Sequence, residues 1–198
     1  MKIVQGKLFP TPVWAVQLDD APSLNRDLAR SIEALRQKDP RGVSRTNVLG
    51  WQTLPELQNL PEFKVFIDTV LDVARQIGGS MKIRDDVEYR IEAWANVSQT
   101  GAYNVIHNHP NCHLSGSYYV RTPVGCGDIF FRDPRSGAGI CVPPVHEGSD
   151  FTQKDMAMQA QEGTMYIFPA WLDHGTEPNG SNEDRICIAF NVSVREKT

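Results

Sequence analysis

The segment HNHPNCHLSGSYYV, residues 107–120, places three histidines directly before a run of small and aromatic residues. His107 and His109 are two positions apart, so in an extended chain both side chains lie on the same side. A third imidazole from a distant part of the chain, such as His174, could complete a three-ligand face on a metal ion. Neutral imidazole is a suitable ligand for iron, zinc, copper and nickel. The sequence therefore predicts a metal site at the histidine cluster, which His174 could complete.

The chain after residue 85 has the patterns of several strands. Residues 87–97 alternate apolar and polar side chains for most of their length, as a half-buried strand does. Further candidates, separated by Gly, Pro and Asp turn signals, are residues 115–121, 128–132, 164–168 and 185–194. No helical stretches alternate with these strands, which argues against a parallel α/β sheet.

Helical spacing of apolar residues characterises the part of the chain before these strands. It predicts one helix over residues 23–37, with Ser23 as its N-cap. A second helix is predicted over residues 60–77, ended by Gly78 and Gly79. The opening residues 7–16 contain prolines and are typical of an edge strand.

The order of these elements predicts an α+β fold. We expect a single domain over residues 1–198, with a helical part over about 1–85 and a β-sandwich or barrel over about 86–198.

Composition excludes several classes of partner. The net charge is −4, so there is no basic surface of the kind that binds nucleic acid. No apolar run reaches the length of a membrane span, and Met1–Gly6 lacks the apolar region of a signal peptide. We therefore expect a cytoplasmic protein that binds neither nucleic acid nor membrane. The edge strand and the helices could support a homodimer.

The order of the motifs resembles that of the Fe(II)/2-oxoglutarate-dependent oxygenase superfamily over residues 87–194. More narrowly, the sequence resembles a family of short bacterial and phage proteins assigned to that superfamily. The superfamily pattern is His-x-Asp/Glu, then a distal His, then an Arg or Lys farther along. Residues 107–109, His174 and Arg185 follow that order.

Two flanking segments carry the same resemblance. Gly127–Phe131 resembles the glycine-led strand after the first motif, and Tyr118–Val120 resembles the tyrosine strand. The resemblance implies a double-stranded β-helix, or jelly roll, with the N-terminal helices packed on the sheet. It implies Fe(II) and 2-oxoglutarate as cofactors, with Fe(II) bound by the three histidines and no catalytic residue beyond these ligands.

The resemblance also implies which residues hold the co-substrate. The Arg185 guanidinium would bind the far carboxylate of 2-oxoglutarate through two parallel hydrogen bonds. The resemblance further implies that a tyrosine of the tyrosine strand, such as Tyr119, reaches the same co-substrate. Asn96, Ser115 and Asn191 are further candidates to line the pocket as hydrogen-bonding groups.

One position departs from the superfamily pattern, because His109 stands where a carboxylate is usual. A third neutral imidazole leaves the site more positive than a carboxylate would. His109 could instead face the substrate. Asp128, Asp173 and His113 are the other contenders for the third ligand.

Arg185 has a simpler alternative role as well. It could be a surface arginine paired with Asp184 or Glu183, with Arg121 as another anion site. The segment over residues 136–161 is long and mostly polar. It could be a lid over the site or a surface hairpin without a catalytic role.

Three functions are consistent with the sequence. The first is an oxygenase that decarboxylates 2-oxoglutarate to succinate and hydroxylates a C–H bond of an unknown small-molecule or peptide substrate. The second is a cupin-like three-histidine dioxygenase that acts directly on a chelating substrate without 2-oxoglutarate. The third is a non-enzymatic, metal-binding jelly-roll protein. No HExxH motif, as in zinc metalloproteases, is found.

Overall fold

The computed structural model describes residues 1–6, 8–137, 140, 142–146 and 153–197. Two α-helices are found among them, α1 (Ala21–Lys38) and α2 (Lys64–Ser80). The strands are β1 (Trp14–Gln17), β2 (Asn47–Val48), β3 (Trp51–Gln52), β4 (Val87–Ser98), β5 (Tyr103–His107), β6 (Leu114–Arg121), β7 (Ile129–Arg132), β8 (Asp155–Met158), β9 (Thr164–Pro169), β10 (His174–Thr176) and β11 (Arg185–Glu196).

The strands form two facing antiparallel sheets. Sheet A has six strands in the order β1-β9-β6-β11-β4-β3, and sheet B has five in the order β2-β5-β10-β7-β8. Within the part of the chain that the structure describes, the two sheets do not close into a barrel. This arrangement confirms the α+β jelly-roll prediction. Strand β1 lies at an edge of sheet A and begins only after Pro10 and Pro12.

The helices cover the outer face of sheet A. Leu28 and Ile32 of α1, and Phe66 and Val70 of α2, are buried and join one hydrophobic cluster with outward-facing residues of the sheet. Phe66 lies against Phe190 of β11, with ring centroids 6.4 Å apart. The helical spacing read from the sequence is therefore the spacing of side chains buried on the sheet.

The ends of both helices differ from the prediction. Helix α1 begins at Ala21, with Asp20 at the N-cap position, so Ser23 lies inside the first turn and does not cap it. Helix α2 begins at Lys64, after two short 3₁₀ turns, and continues through Gly78. A Cβ at Gly78 would collide with the Tyr89 hydroxyl, so this glycine permits close helix–sheet packing instead of ending the helix.

A second, smaller core lies between the sheets. Tyr119, Phe131 and Phe168 belong to it, and the Phe131 and Phe168 rings meet edge to face with centroids 4.9 Å apart. This core fills one end of the space between the sheets. A cavity of about 310 Å³ occupies the other end.

Two short strands, β2 and β3, and the turn between them close one side of that cavity. We call this segment the hairpin, although its strands pair with different sheets. Strand β2 pairs with β5 of sheet B, and β3 pairs with β4 of sheet A, so the turn at residues 49–50 passes from one sheet to the other. The Asn47 amide nitrogen donates to the carbonyl oxygens of Val43 and Gly50, at 3.1 and 2.8 Å, and holds the turn. The sequence analysis did not predict this hairpin.

Part of the predicted lid is ordinary sheet. Strand β8 pairs with β7 and ends the described part of sheet B at one edge. His146, before it, is exposed. Residues 138, 139, 141 and 147–152 of the segment lie outside the described residues, so the lid stays a prediction.

Neither described helix combines the length and the apolar composition that a membrane span requires.

Candidate metal centre

Three imidazoles from separate parts of the chain meet inside the cavity. His107 ends β5 and His174 begins β10, and the two are directly paired across sheet B. His109 follows β5, where its backbone N–H donates to the Ala170 carbonyl oxygen at 2.9 Å. One ring nitrogen of each histidine lies within 4.8 Å of the others, and the described residues contain no other such group of His, Cys, Asp or Glu.

The opposite wall of the cavity is the inner face of sheet A. Alternate residues of the paired strands β4 and β11 point into the cavity. They form three cross-strand pairs: Asn96 with Cys187, Trp94 with Ala189, and Glu92 with Asn191. Strand β6 adds Ser115 and Ser117 beside the same β11 residues. Hydrogen-bonding side chains on the inner face of a jelly roll, where apolar ones would form core, indicate a binding cavity.

Each ring has a hydrogen-bonding neighbour at Nδ1. The Nδ1 atoms of His107 and His174 lie 2.8 and 2.9 Å from the carbonyl oxygens of Val105 and Leu172. A carbonyl only accepts, so both Nδ1 atoms donate and both Nε2 lone pairs are free. The Nδ1 atom of His109 lies 3.3 Å from Nδ2 of Asn191 instead.

Burial keeps the three imidazoles neutral. Burial, the larger cause, and the neighbouring imidazoles together lower the pKa of His174 to about 3 and that of His109 to about 4. Burial also lowers the pKa of His107, although the Val105 carbonyl and Asp173 partly oppose it. Neutral imidazole is the form that binds a metal ion, so protons compete weakly with a metal at neutral pH.

These shifts predict acid sensitivity of the metal-free protein. The folded-state pKa of His174 is below its unfolded value near 6.5, so its contribution is complete above pH 6.5 and is lost as the pH falls toward 3. The slope is about 1 kcal/mol per pH unit for this ring. Urea unfolding at pH 7 and pH 5 should show a smaller stability loss in His174→Leu than in wild type. An equal loss of stability in the two proteins would contradict a lowered pKa of His174 in the folded protein.

Arg185, the predicted co-substrate residue, is buried at 1% exposure. Its Nη1 donates to the carbonyl oxygens of Cys126 and Gly127, at 2.6 and 2.9 Å, and its Nη2 donates to Thr176 Oγ1 at 3.1 Å. Its Nε has no partner. Arg185 itself does not line the cavity, but Thr176, to which it donates, does.

The simpler alternative for Arg185 is wrong. Asp184 forms an ion pair with Arg36 at 2.7 Å, and no carboxylate pairs with Arg185 within the described chain. A buried cation without an anion is costly. Among the described residues, Arg185 therefore carries a buried positive charge with no partner carboxylate, and its Nε–H donor has no acceptor. Arg121, the other candidate, is exposed at the end of β6.

The other predicted pocket residues divide into two groups. Asn96, Ser115 and Asn191 line the cavity. Tyr119 is fully buried beside Cys187, and its hydroxyl has no hydrogen-bond partner. Burial raises the pKa of Tyr119 above its ordinary value, and the Arg185 cation partly opposes this rise. The hydroxyl therefore stays protonated and can donate.

The remaining contenders for the third ligand lie elsewhere. His113 Nδ1 accepts from the Val194 N–H at 3.0 Å, and Asp128 Oδ1 accepts from the Ala160 N–H at 2.9 Å. Asp173 Oδ1 accepts from the Asn108 amide at 2.7 Å. None of the three belongs to the histidine group in the described residues.

Sequence reasoning missed several of the residues that line the cavity. Arg45, Thr46 and Gln52 come from the hairpin segment. Trp94, which a core role would also explain, lines the cavity with its ring centroid 5.7 Å from that of His109. The turn residues between Val48 and Trp51 were the available signal for the hairpin.

Comparisons with known proteins agree with this geometry. A family model described as "Putative 2OG-Fe(II) oxygenase" matches residues 92–191. No curated protein matches the sequence significantly. A prolyl-4-hydroxylase from Pseudomonas putida is similar in structure at 12% identity and a TM-score of 0.66, over 95% of this chain and 94% of that chain.

Two further solved structures are similar. A prolyl hydroxylase from Trichoplax adhaerens, in complex with a hypoxia inducible factor peptide fragment, has 11% identity and a TM-score of 0.64, over 91% of this chain and 83% of that one. HygX from Streptomyces hygroscopicus, with nickel, 2-oxoglutarate and hygromycin B bound, has 13% identity and a TM-score of 0.63, over 92% and 83%. At these identities the likeness shows the fold alone.

Proposed function

Because the chain belongs to the 2OG-Fe(II) oxygenase family, we propose that it hydroxylates a C–H bond of a polar substrate. Fe(II) and 2-oxoglutarate are the cofactors of this family. The observation that carries the proposal is the three-imidazole group, which lies in a cavity that is also lined by Thr176, the side chain to which the buried Arg185 donates.

The residues present fit both cofactors. His107, His109 and His174 offer three nitrogen ligands on one side of a metal ion, which suits non-haem iron with open positions. Arg185 Nε and the Tyr119 hydroxyl are buried and unpartnered, and both can donate to a carboxylate. We assign them to the far carboxylate of 2-oxoglutarate.

When bound, Fe(II) and 2-oxoglutarate supply the oxidising chemistry, in which O₂ converts 2-oxoglutarate to succinate and CO₂ and one oxygen atom enters the substrate C–H bond. The protein contributes position and environment. The imidazoles fix the metal, and the Arg185 fork fixes the co-substrate orientation. The second core, with Phe131 and Phe168 beside His174, excludes water from that side of the metal.

We propose that the substrate enters beside the hairpin. Arg45 and Glu92 line the cavity there, are exposed, and form no ion pair among the residues described. Gln52 lies beside them, nearly buried and with no side-chain hydrogen bond in the described chain. Unpaired opposite charges and a free amide suit a charged small molecule or a peptide. We further propose that the protein acts in the cytoplasm and binds neither nucleic acid nor membrane.

The test of the function is 2-oxoglutarate turnover. Purified protein with Fe(II) and ascorbate should release succinate from 2-oxoglutarate slowly without substrate, and faster when a substrate is added. Retention of zinc, with no succinate formed under any condition, would favour the non-enzymatic alternative.

Substitutions of Arg45 and Arg185 are expected to affect different ligands, the substrate for Arg45 and the co-substrate 2-oxoglutarate for Arg185. Arg45 stands at the open side of the cavity and Arg185 behind its inner wall, so Arg45→Ala should leave the Kd for 2-oxoglutarate within about twofold of wild type, below the tenfold that 1.4 kcal/mol represents. Isothermal titration of the Co(II)-loaded variant measures this Kd. A large loss of affinity would instead make Arg45 the co-substrate anchor.

A further inference from the structure

The hydrogen bond at Nδ1 decides which nitrogen of a neutral imidazole can bind a metal. For His107 and His174 that partner is a backbone carbonyl, which cannot change its role. Their protons stay on Nδ1 and their Nε2 lone pairs stay free. These two rings are permanently in the ligating form.

His109 differs because its Nδ1 partner is a side chain. The Asn191 Nδ2 group, 3.3 Å away, can only donate. In this orientation of the amide, His109 Nδ1 accepts, and the proton of the neutral ring lies on Nε2, where it blocks metal binding through that atom. Asn191 Oδ1 is meanwhile buried without a partner.

We propose that the Asn191 carboxamide controls whether His109 can act as the third ligand. A half turn about the Asn191 Cβ–Cγ bond exchanges its oxygen and nitrogen, which have nearly the same shape and need no repacking. Oδ1 then accepts from His109 Nδ1–H, and Nε2 is free. The ring stays neutral, because Nε2 gives a proton to water and Nδ1 takes one from water.

The location of Asn191 supports this role. It lies on β11 of sheet A, between Ser115 and Glu92 in the sheet, whereas His107 and His174 lie on sheet B. Its contact with His109 is the side-chain hydrogen bond that joins sheet A to the histidine group among the described residues. Sheet A, which carries the predicted co-substrate residues, is therefore linked to completion of the metal site. This inference rests on the proposed function, which assigns a metal to the three histidines.

Histidine nitrogen NMR tests the proposal directly. In metal-free ¹⁵N-His protein we expect Nε2–H for His109 and Nδ1–H for His107 and His174. Saturation with Zn(II), a diamagnetic probe, should move the His109 proton to Nδ1. A His109 ring that already carries its proton on Nδ1 in the metal-free protein would overturn the proposal.

Zn(II) titration of Asn191 variants gives an independent measure. Asn191→Leu removes the acceptor and should weaken Zn(II) binding by about 10–100-fold, the usual loss for an outer-shell partner. Asn191→Asp, which only accepts, should bind at least as tightly as wild type. Asn25→Leu, which removes a buried amide bonded to Tyr118 outside the cavity, is the matched control and should not change the affinity.

The outcomes separate this inference from the function on which it rests. Wild-type affinity in Asn191→Leu would overturn the inference while the three-histidine site stands. A wild-type protein that binds no metal would overturn the proposed function, and the metal-free NMR spectrum would still judge the role of Asn191.

Discussion

Substitution of His174 by alanine is expected to remove Fe(II) binding and 2-oxoglutarate turnover together. His174 is nearly buried, its Nδ1 is fixed by the Leu172 carbonyl, and its ring centroid is 4.4 Å from that of His107. Loss of an outer-shell partner alone costs about 10–100-fold in metal affinity, so loss of a ligand should cost more than about 100-fold. Fe(II) binding by equilibrium dialysis measures the affinity, and succinate release measures turnover.

Two controls define that result. His146→Ala changes an exposed histidine and should keep wild-type affinity. His174→Gln fills more of the space left by the ring, so a folded variant remains available if His174→Ala unfolds. Undiminished Fe(II) affinity in a folded His174 variant would show that the metal is held elsewhere.

Substitution of Arg185 is expected to remove 2-oxoglutarate binding while Fe(II) binding remains. Truncating one partner of a buried, hydrogen-bonded charge pair costs about 2–5 kcal/mol, which corresponds to roughly 30-fold to several-thousand-fold in affinity. Arg185→Lys keeps the charge but loses the planar fork, so its affinity should lie between those of wild type and Arg185→Ala.

Thermal stability gives the readout for Arg185. A ligand that binds only the folded state raises stability by RT ln(1 + [L]/Kd), so saturating 2-oxoglutarate should raise the Tm of metal-loaded wild type. The same addition should raise the Tm of Arg185→Ala little, and that of Arg185→Lys by an intermediate amount. An equal rise in all three proteins would mean that Arg185 serves only its carbonyl partners, Cys126 and Gly127.

Local pattern was sufficient to predict the elements that form the site. Apolar–polar alternation in residues 87–97 predicted a half-buried strand, and its polar side chains at Glu92 and Asn96 line the cavity. The two-residue spacing of His107 and His109 predicted that their side chains would lie together. Both inferences need only the period of an extended chain.

Pairing between distant strands could not be derived in the same way. His174 meets His107 because β10 is hydrogen-bonded to β5, and nothing near either residue specifies that register. The resemblance to a known superfamily supplied His174 and Arg185 instead. It could not supply the Arg185 contacts with three backbone carbonyls and Thr176, which depend on the turn after β6 and the end of β10.

The hairpin and the Asn191 contact were beyond sequence pattern for different reasons. Strands β2 and β3 have two residues each, too few to show alternation, so Arg45 and Gln52 were not placed at the cavity. Asn191 was predicted as a pocket residue. Its bond to His109 runs between the two walls of the cavity, so it depends on the distance between the two sheets, which no local pattern specifies. Short elements and contacts between layers are thus where the structure adds most.

The most direct test of this account is anaerobic titration of metal-free protein with Fe(II), followed by 2-oxoglutarate, while the visible spectrum is recorded. The account predicts that an iron-to-keto-acid charge-transfer band appears with 2-oxoglutarate and is lost in Arg185→Ala. Fe(II) binding without the band would contradict it and favour a dioxygenase that acts directly on its substrate.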